Sequence, residues 1–418
     1  MYAYTVFVTY FEKHFFNQDD QNSTVYAYAV FAVTFLMRPL GSWFFGRYAD
    51  RHGRRAALTF SVSLMAAGSL AIAVLPNRAT IGVWAAVLLI LCRLVQGFAT
   101  GGEYGTSATY MSEAATRNRR GFFSSFQYVT LVGGHVLAQL TLLILLGVLT
   151  PQQLGAWGWR IPFAIGAVAA VVVFWLRRSM DESLTTEHIE AAATGTDRRS
   201  GSLAELLNRH FKPLLLCFLF TMGGTIAFYT YSVNAPAIVK ATYKGAATTS
   251  TWLNLVTLVI LMLLQPLGGL LSDRIGRKPL LVGFGIGAVI YTYVLITYLP
   301  RTTNPLVSFL LLKVGYVILT GYTSINAIMK AELFPAHIRA LGLGLGYGLA
   351  NSVFGGTAPL IYQYFKAHNQ VPYFIGYVTV CIAVTLVCYV VFLKNKSETY
   401  LDREQGHAYA PGEPAAQR

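Results

Sequence analysis

Apolar runs of about 18 to 28 residues recur along the whole chain, and each is long enough to cross a bilayer as a helix. Lipid offers no water to backbone N–H and C=O groups, so only helices or closed barrels satisfy them there. The short alternating runs of a membrane barrel are absent. The chain is 55% hydrophobic and only 12% charged. A soluble domain carries about twice that charge. The sequence therefore predicts an all-α polytopic membrane protein.

The formal net charge of +14 does not point to nucleic acid, because its placement follows another rule. About 22 of the 32 Lys and Arg residues fall in alternate loops and the C-terminal tail. Loops rich in Lys and Arg face the cytoplasm. Arg38, Arg93 and Lys313 are read as lying within spans. Cys92, Cys217, Cys381 and Cys388 all sit in apolar runs without metal-ligand spacing and read as small core residues.

Taken in order, residues 1–16 are apolar and aromatic but short for a span. They read as the outer part of a first helix whose remainder is not in this sequence. Helix 2 is expected at about 25–49, helix 3 at 56–75, helix 4 at 80–112, helix 5 at 121–149 and helix 6 at 161–176. Trp157-Gly158-Trp159-Arg160 reads as an interfacial re-entry before helix 6. Residues 177–212 are hydrophilic and read as a cytoplasmic linker. Helices 7 to 12 are expected at about 213–239, 249–272, 279–299, 304–331, 340–365 and 371–393. The polar tail 394–418 reads as irregular and cytoplasmic. The expected domains are thus 1–176, the linker 177–212, 213–393, and the tail.

The two halves repeat. Gly46-x-x-x-Asp50-Arg51-x-Gly53-Arg54-Arg55 recurs as Gly269-x-x-x-Asp273-Arg274-x-Gly276-Arg277-Lys278. Glu113 and Arg120 recur as Glu332 and Arg339 at nearly the same offset. Two features at one offset indicate duplication. Two pseudo-symmetric six-helix bundles form a transporter architecture, with substrate bound near the midplane between halves.

One stretch inside helix 4 carries chemistry. Arg93, Gln96, Thr100, Tyr104 and Ser107 fall on one helical stripe. An ionisable group at membrane depth is costly, so it faces a cavity and serves a function, or it pairs with another helix. Arg93 is the candidate anion ligand, with Gln96 and Tyr104 beside it. Gln127, Tyr128, Tyr229 and Asn351 are candidates to line the cavity, though polar residues also bind membrane helices together. Lys313 takes nearly the place in the second half that Arg93 holds in the first. Two cations facing one cavity suit a dicarboxylate; alternatively Lys313 snorkels or pairs with an acid. Glu103, well inside a span, is a candidate proton carrier or a structural partner for an arginine. His135 is either a second proton carrier or a packing residue.

The paired Gly-x-x-x-Asp-Arg-x-Gly-Arg-Arg/Lys turns resemble the signature of the major facilitator superfamily. Phe35-Leu36-Met37-Arg38-Pro39, the stretch 101–113 from Gly101 to Glu113, Ser125-Phe126-Gln127-Tyr128 and Trp157-Gly158-Trp159-Arg160-Ile161-Pro162-Phe163 resemble its metabolite:proton symporter branch. So do Lys330-Ala331-Glu332 and Arg339-Ala340-Leu341-Gly342. The resemblance implies proton-coupled uptake of a small organic acid, 2-oxoglutarate first, across a bacterial cytoplasmic membrane. Another carboxylate, shikimate or a betaine-like osmolyte is the alternative within the branch. Lys313 and His135 stand where the branch is expected to carry an apolar residue and a glutamine.

The aspartates of the repeated turns end helices, where a carboxylate can meet the positive N-terminus of a facing helix. The resemblance implies that they latch the halves on the cytoplasmic side. The gating set is then Gly46, Asp50, Arg51, Arg54, Glu113 and Arg120, with Asp273, Arg274, Arg277, Glu332 and Arg339. No nucleotide-binding loop, metal motif or catalytic triad appears, so neither an enzyme nor a cofactor is expected. A receptor is the rival class, but it would be expected to show a soluble output domain. The expected partners are a small organic acid, protons and the bilayer, with the protein a monomer.

Overall fold

The computed structural model describes residues 2–16, 23–178, 200–243, 247–395 and 399–406. Among these residues the structure is helical, without strands. The first half holds α1 (2–15), α2 (23–52), α3 (Arg54–Val74), α4 (Trp84–Ala114), α5 (Arg120–Val148) and α6 (Ile161–Arg178). The second holds α7 (Phe211–Thr242), α8 (Ala247–Ile275), α9 (Arg277–Tyr298), α10 (Pro305–Ala331), α11 (339–367) and α12 (Val371–Phe392). Ten of these, all but α1 and α11, are long and apolar enough to cross a membrane. Large apolar side chains such as Leu137, Val168, Trp175, Ile290 and Val391 point outward. That surface suits lipid and would be costly in water. The chain is a multi-pass membrane protein.

The halves meet through two symmetry-related pairings. α2 packs on α11, and α8 packs on α5. α4 also meets α10 and α11, and α5 meets α10. Glycines set this closeness. A Cβ on Gly46 would lie 2.7 Å from Leu341 Cα, and one on Gly269 would strike the Gly121 carbonyl. These are the matching glycines of the repeated turn. Gly53 and Gly276, also matched, have φ of 97° and 96°, which L side chains rarely adopt.

Four helices are interrupted at depth. α2 breaks at Met37, just before Pro39. α7 and α11 each contain a π turn, Thr230–Asn234 and Asn351–Gly355. Pro236 and Pro359 follow them, and each removes a backbone donor to the preceding turn. Such bulges re-aim side chains and concentrate at functional sites. α10 breaks between Thr323 and Asn326. The breaks bring Arg38, Tyr229, Asn351 and Asn326 to the contact between halves.

Most of the expected linker (179–199) lies outside the described residues, as do 407–418. The tail departs from the irregular structure expected of it. Residues Tyr400–Gly406 form a helix that docks on the first half through Asp402.

Candidate functional site

The cations within the spans separate into two places. Arg93 is fully buried. Its Nη1 donates to Gln96 Oε1 at 2.9 Å, and Gln96 Nε2 donates to Ser69 Oγ at 3.1 Å. The guanidinium lies 4.4 Å from the centre of the Tyr4 ring. All of these partners belong to the first half. Arg93 Nε and Nη2 have no hydrogen-bond partner among the described residues. Tyr104 lies eleven residues along the same helix, about 16 Å away at 1.5 Å per residue. The predicted stripe therefore splits, and one small acid cannot touch both ends.

The second place joins the halves. Arg38 Nη1 donates to Asn351 Oδ1 at 2.6 Å and to the Tyr229 hydroxyl at 3.4 Å. Its guanidinium lies 3.8 Å over Phe35. One turn before Asn351, Tyr347 stacks on Tyr104 with centroids 3.4 Å apart. The ammonium of Lys330 lies 4.4 Å over the Tyr347 ring and 3.5 Å from the Tyr104 hydroxyl. Asn326 Nδ2 donates to the hydroxyls of Tyr104 at 2.6 Å and Tyr128 at 3.1 Å. Lys330 and Asn326 are both buried. Among the described residues, Lys330 has no carboxylate partner. A buried ammonium held only by rings and a hydroxyl is an incomplete anion site.

Lys330 is the residue that sequence reasoning missed, and Lys313 is the one it misplaced. Lys313 is exposed on the outer face of α10, so it does not reach the contact between halves. Lys330 stands near the end of its span, next to Glu332, and reads in sequence as an end charge. The available signal was its spacing of four from Asn326, which places two polar groups on one helical face. Glu103 takes the structural alternative: its partner is Arg177 of α6 at 2.8 Å. Gln127 accepts from Ser107 at 2.9 Å. His135 is buried against Phe228 of α7, with ring centres 5.8 Å apart.

At the face carrying the basic turns, two ion networks close the molecule. Asp50 accepts from the N–H groups of Ala340 at 3.2 Å and Leu341 at 2.9 Å, at the start of α11. It also pairs with Arg54. Glu113 pairs with Arg54 at 3.2 Å and with Arg339 at 2.9 Å. Ser200 caps this network: its hydroxyl donates to the Asp50 carbonyl at 2.7 Å, and its own carbonyl accepts from Arg51 Nε at 3.0 Å. On the other side, Asp273 accepts from the N–H groups of Gly121 at 2.7 Å and Phe122 at 2.9 Å, at the start of α5. Arg277 pairs with Asp273 at 3.1 Å and with Glu332 at 3.4 Å. Arg120 pairs with Asp402 of the tail helix at 2.9 Å. Arg274 is exposed. Burial pushes the Glu332 carboxyl up, against the pull of Arg277 and Arg120. Burial also acts on Asp402, but bonds from the Thr399 N–H and hydroxyl and the Arg120 charge outweigh it and hold that carboxyl down.

On the opposite face the halves part around a cavity of about 420 Å³, lined by α1, α2, α5, α7, α8 and α11. Thr9, Glu12, Gln139, Lys240 and Asn254 lie on its wall. The arrangement has a cavity on one face, ion networks on the other, and a packed cluster of cationic and aromatic side chains between.

The model of the sugar (and other) transporter family matches residues 1–212 and 185–404. The chain is 43% identical over 387 residues to the alpha-ketoglutarate permease of Escherichia coli K12, covering 92% of this chain and 88% of that protein. It is 30% identical to a putative proline/betaine transporter of Staphylococcus aureus (strain COL), covering 99% and 90%. Its fold matches the major facilitator proton:xylose symporter XylE bound to 6-bromo-6-deoxy-D-glucose, with a TM-score of 0.76, 18% identity and coverage of 97% and 95%. These relatives are transporters and not enzymes. The chain belongs to the sugar (and other) transporter family of the major facilitator superfamily.

Proposed function

We propose that this protein carries a small dicarboxylate, 2-oxoglutarate first, into the cell with protons by alternating access. The observation behind the reading is the pair of buried cations, Arg38 from the first half and Lys330 from the second, in the tyrosine-rich cluster between the halves. A dicarboxylate offers each half one anionic end. Binding then favours the arrangement in which the halves close around it. The 43% identity to the permease supports the same substrate. Arg93, with two donors unspent, is a further carboxylate ligand on the side of the open cavity. His135, at the contact of α5 with α7, is the proposed proton carrier.

The bundles 1–176 and 213–393 are the proposed moving units, joined by the linker 177–212. The positive-inside rule puts linker, gates and tail in the cytoplasm of a bacterial inner membrane. The Asp50 and Asp273 networks then hold the cytoplasmic side shut while the cavity faces out.

A betaine is the second reading, favoured by the rings of Tyr104, Tyr347 and Phe35 and by the 30% identical relative. Aromatic faces attract a quaternary ammonium. Here, however, Lys330 and Arg38 already occupy those faces, and their charge repels another cation. Uptake of labelled 2-oxoglutarate and labelled betaine into proteoliposomes, with and without an inward proton gradient, separates the readings. The proposal expects gradient-driven accumulation of 2-oxoglutarate and none of betaine. The reverse result overturns it.

A further inference from the structure

Beside the Asp50 network, three side chains of one chemical type converge outside the substrate chamber. Glu205 belongs to the short helix Leu203–Arg209, His210 follows that helix, and His337 lies in the turn between α10 and α11. One ligand atom from each lies within 4.8 Å of the others, and all three residues are half-buried. The imidazole rings of His210 and His337 are 6.2 Å apart.

Tetrahedral zinc at about 2.0–2.1 Å from its ligands places those ligands about 3.3 Å from each other. The three ligand atoms, within 4.8 Å of one another, lie no more than about 1.5 Å beyond that spacing. Two imidazoles and one carboxylate form a borderline-soft donor set, suited to zinc or cobalt and poorly suited to calcium or magnesium. Glu205 now makes a 3.6 Å contact with Arg209, whose side chain is 61% exposed. An exposed pair of that kind is weak competition for a metal ion.

We propose that Glu205, His210 and His337 form a binding site for a zinc-class divalent ion, with water as the fourth ligand. The site's position gives the ion a mechanical consequence. The His337 carbonyl accepts from the Gly201 N–H at 2.9 Å, and Ser200 beside it donates to the Asp50 carbonyl of the other half. Three residues after His337, the Ala340 N–H binds the Asp50 carboxylate. A bound ion ties the short helix to this turn, holds Ser200 and Gly201 in place, and so keeps the Asp50 gate shut. Zinc on this face acts as a brake on transport.

The test uses the full-length protein purified in detergent, with Co²⁺ as a spectroscopic probe and Zn²⁺ as the competitor. The expected result is one Co²⁺ per chain with the visible absorption of a tetrahedral site, displaced by Zn²⁺. His337→Gln and His210→Gln should each lower the affinity by at least about tenfold. His368→Gln, at an exposed histidine of the opposite face, should leave it unchanged. Circular dichroism and size exclusion identify any variant that fails to fold; Glu205→Gln, which alters no histidine, then serves in its place. No tetrahedral absorption in the wild type overturns the site, as does unchanged Co²⁺ affinity in the folded ligand variants. Zn²⁺ inhibition of transport that persists in His337→Gln overturns the brake. The absorption readout needs no transported substrate, so it stands apart from the choice of dicarboxylate.

Discussion

The two proposed gates share one sequence motif but are built differently. At the first, Arg54 and Asp50 have fully covered side chains and Arg339 is 1% exposed. Glu113 ties Arg54 and Arg339 together. At the second, Arg277 is 17% exposed and Glu332 14%. There Arg120, the counterpart of Arg339, pairs with Asp402 from outside the bundles. The same aspartate-to-helix contact is therefore fully covered on one side and slightly exposed, with the tail beside it, on the other. A charge pair buried from water is costly to break, because the remaining partner is left uncompensated. A partly exposed pair is screened and contributes less. The first gate is the stronger lock, and the second is the one that other parts of the chain can reach.

The largest expected effect is at Asp50. Asp50→Asn removes the charge that holds the α11 N-terminus and half of the compensation for Arg54. The closed state should lose about 3 kcal/mol, the low end for a broken buried pair because Glu113 still holds Arg54. Thiol labelling of cysteines introduced at the basic face should rise sharply, and accumulation of substrate should fall. Asp273→Asn breaks the matching contact where water competes. A loss of roughly 1.5 kcal/mol, the value of hydrogen bonds to a charged group, is expected, with a smaller rise in labelling. Equal effects at the two positions would show that burial does not set the strength of the gates.

The smallest effect is expected at Asp402. Asp402→Ala should weaken the second gate by about 0.5 kcal/mol after screening, and proteolysis of the tail helix should speed up. The folded carboxyl is held below its ordinary value, so its contribution is complete above that value. It is lost only as pH falls through the lowered one. Release of the tail should therefore be flat from about pH 5 to 8. A midpoint near neutrality would assign the release to another group.

The apolar runs predicted the helices, and the repeat predicted the two matched aspartate contacts, because bilayer thickness and duplication leave direct marks on sequence. The chamber was only partly legible. Tyr104, Tyr128, Tyr229 and Asn351 were visible as polar residues in spans. Arg38 was visible as a charge, but not as the residue that crosses to Asn351. That contact depends on the π turns of α7 and α11, which the sequence marks only by a nearby proline. Lys330 was hidden because the break in α10 and the rings of Tyr104, Tyr322 and Tyr347 bury it. Lys313, at a more central position, faces outward; the repeat aligns Arg93 with position 312, and one residue turns a side chain by about 100° around a helix. Ser200 and Asp402 reach the gates from segments whose composition suggests no fixed structure.

The reading of the chamber rests most heavily on Lys330. Lys330→Gln keeps a hydrogen-bond donor and most of the length but removes the charge. In a site shielded from water, losing one partner of a charge pair costs roughly 3–5 kcal/mol, at least a hundredfold in affinity. Calorimetric titration of 2-oxoglutarate into purified Lys330→Gln should then show at least about a hundredfold weaker binding than wild type, in protein with wild-type helicity and elution. Wild-type affinity in that folded variant would contradict a substrate chamber between Arg38 and Lys330.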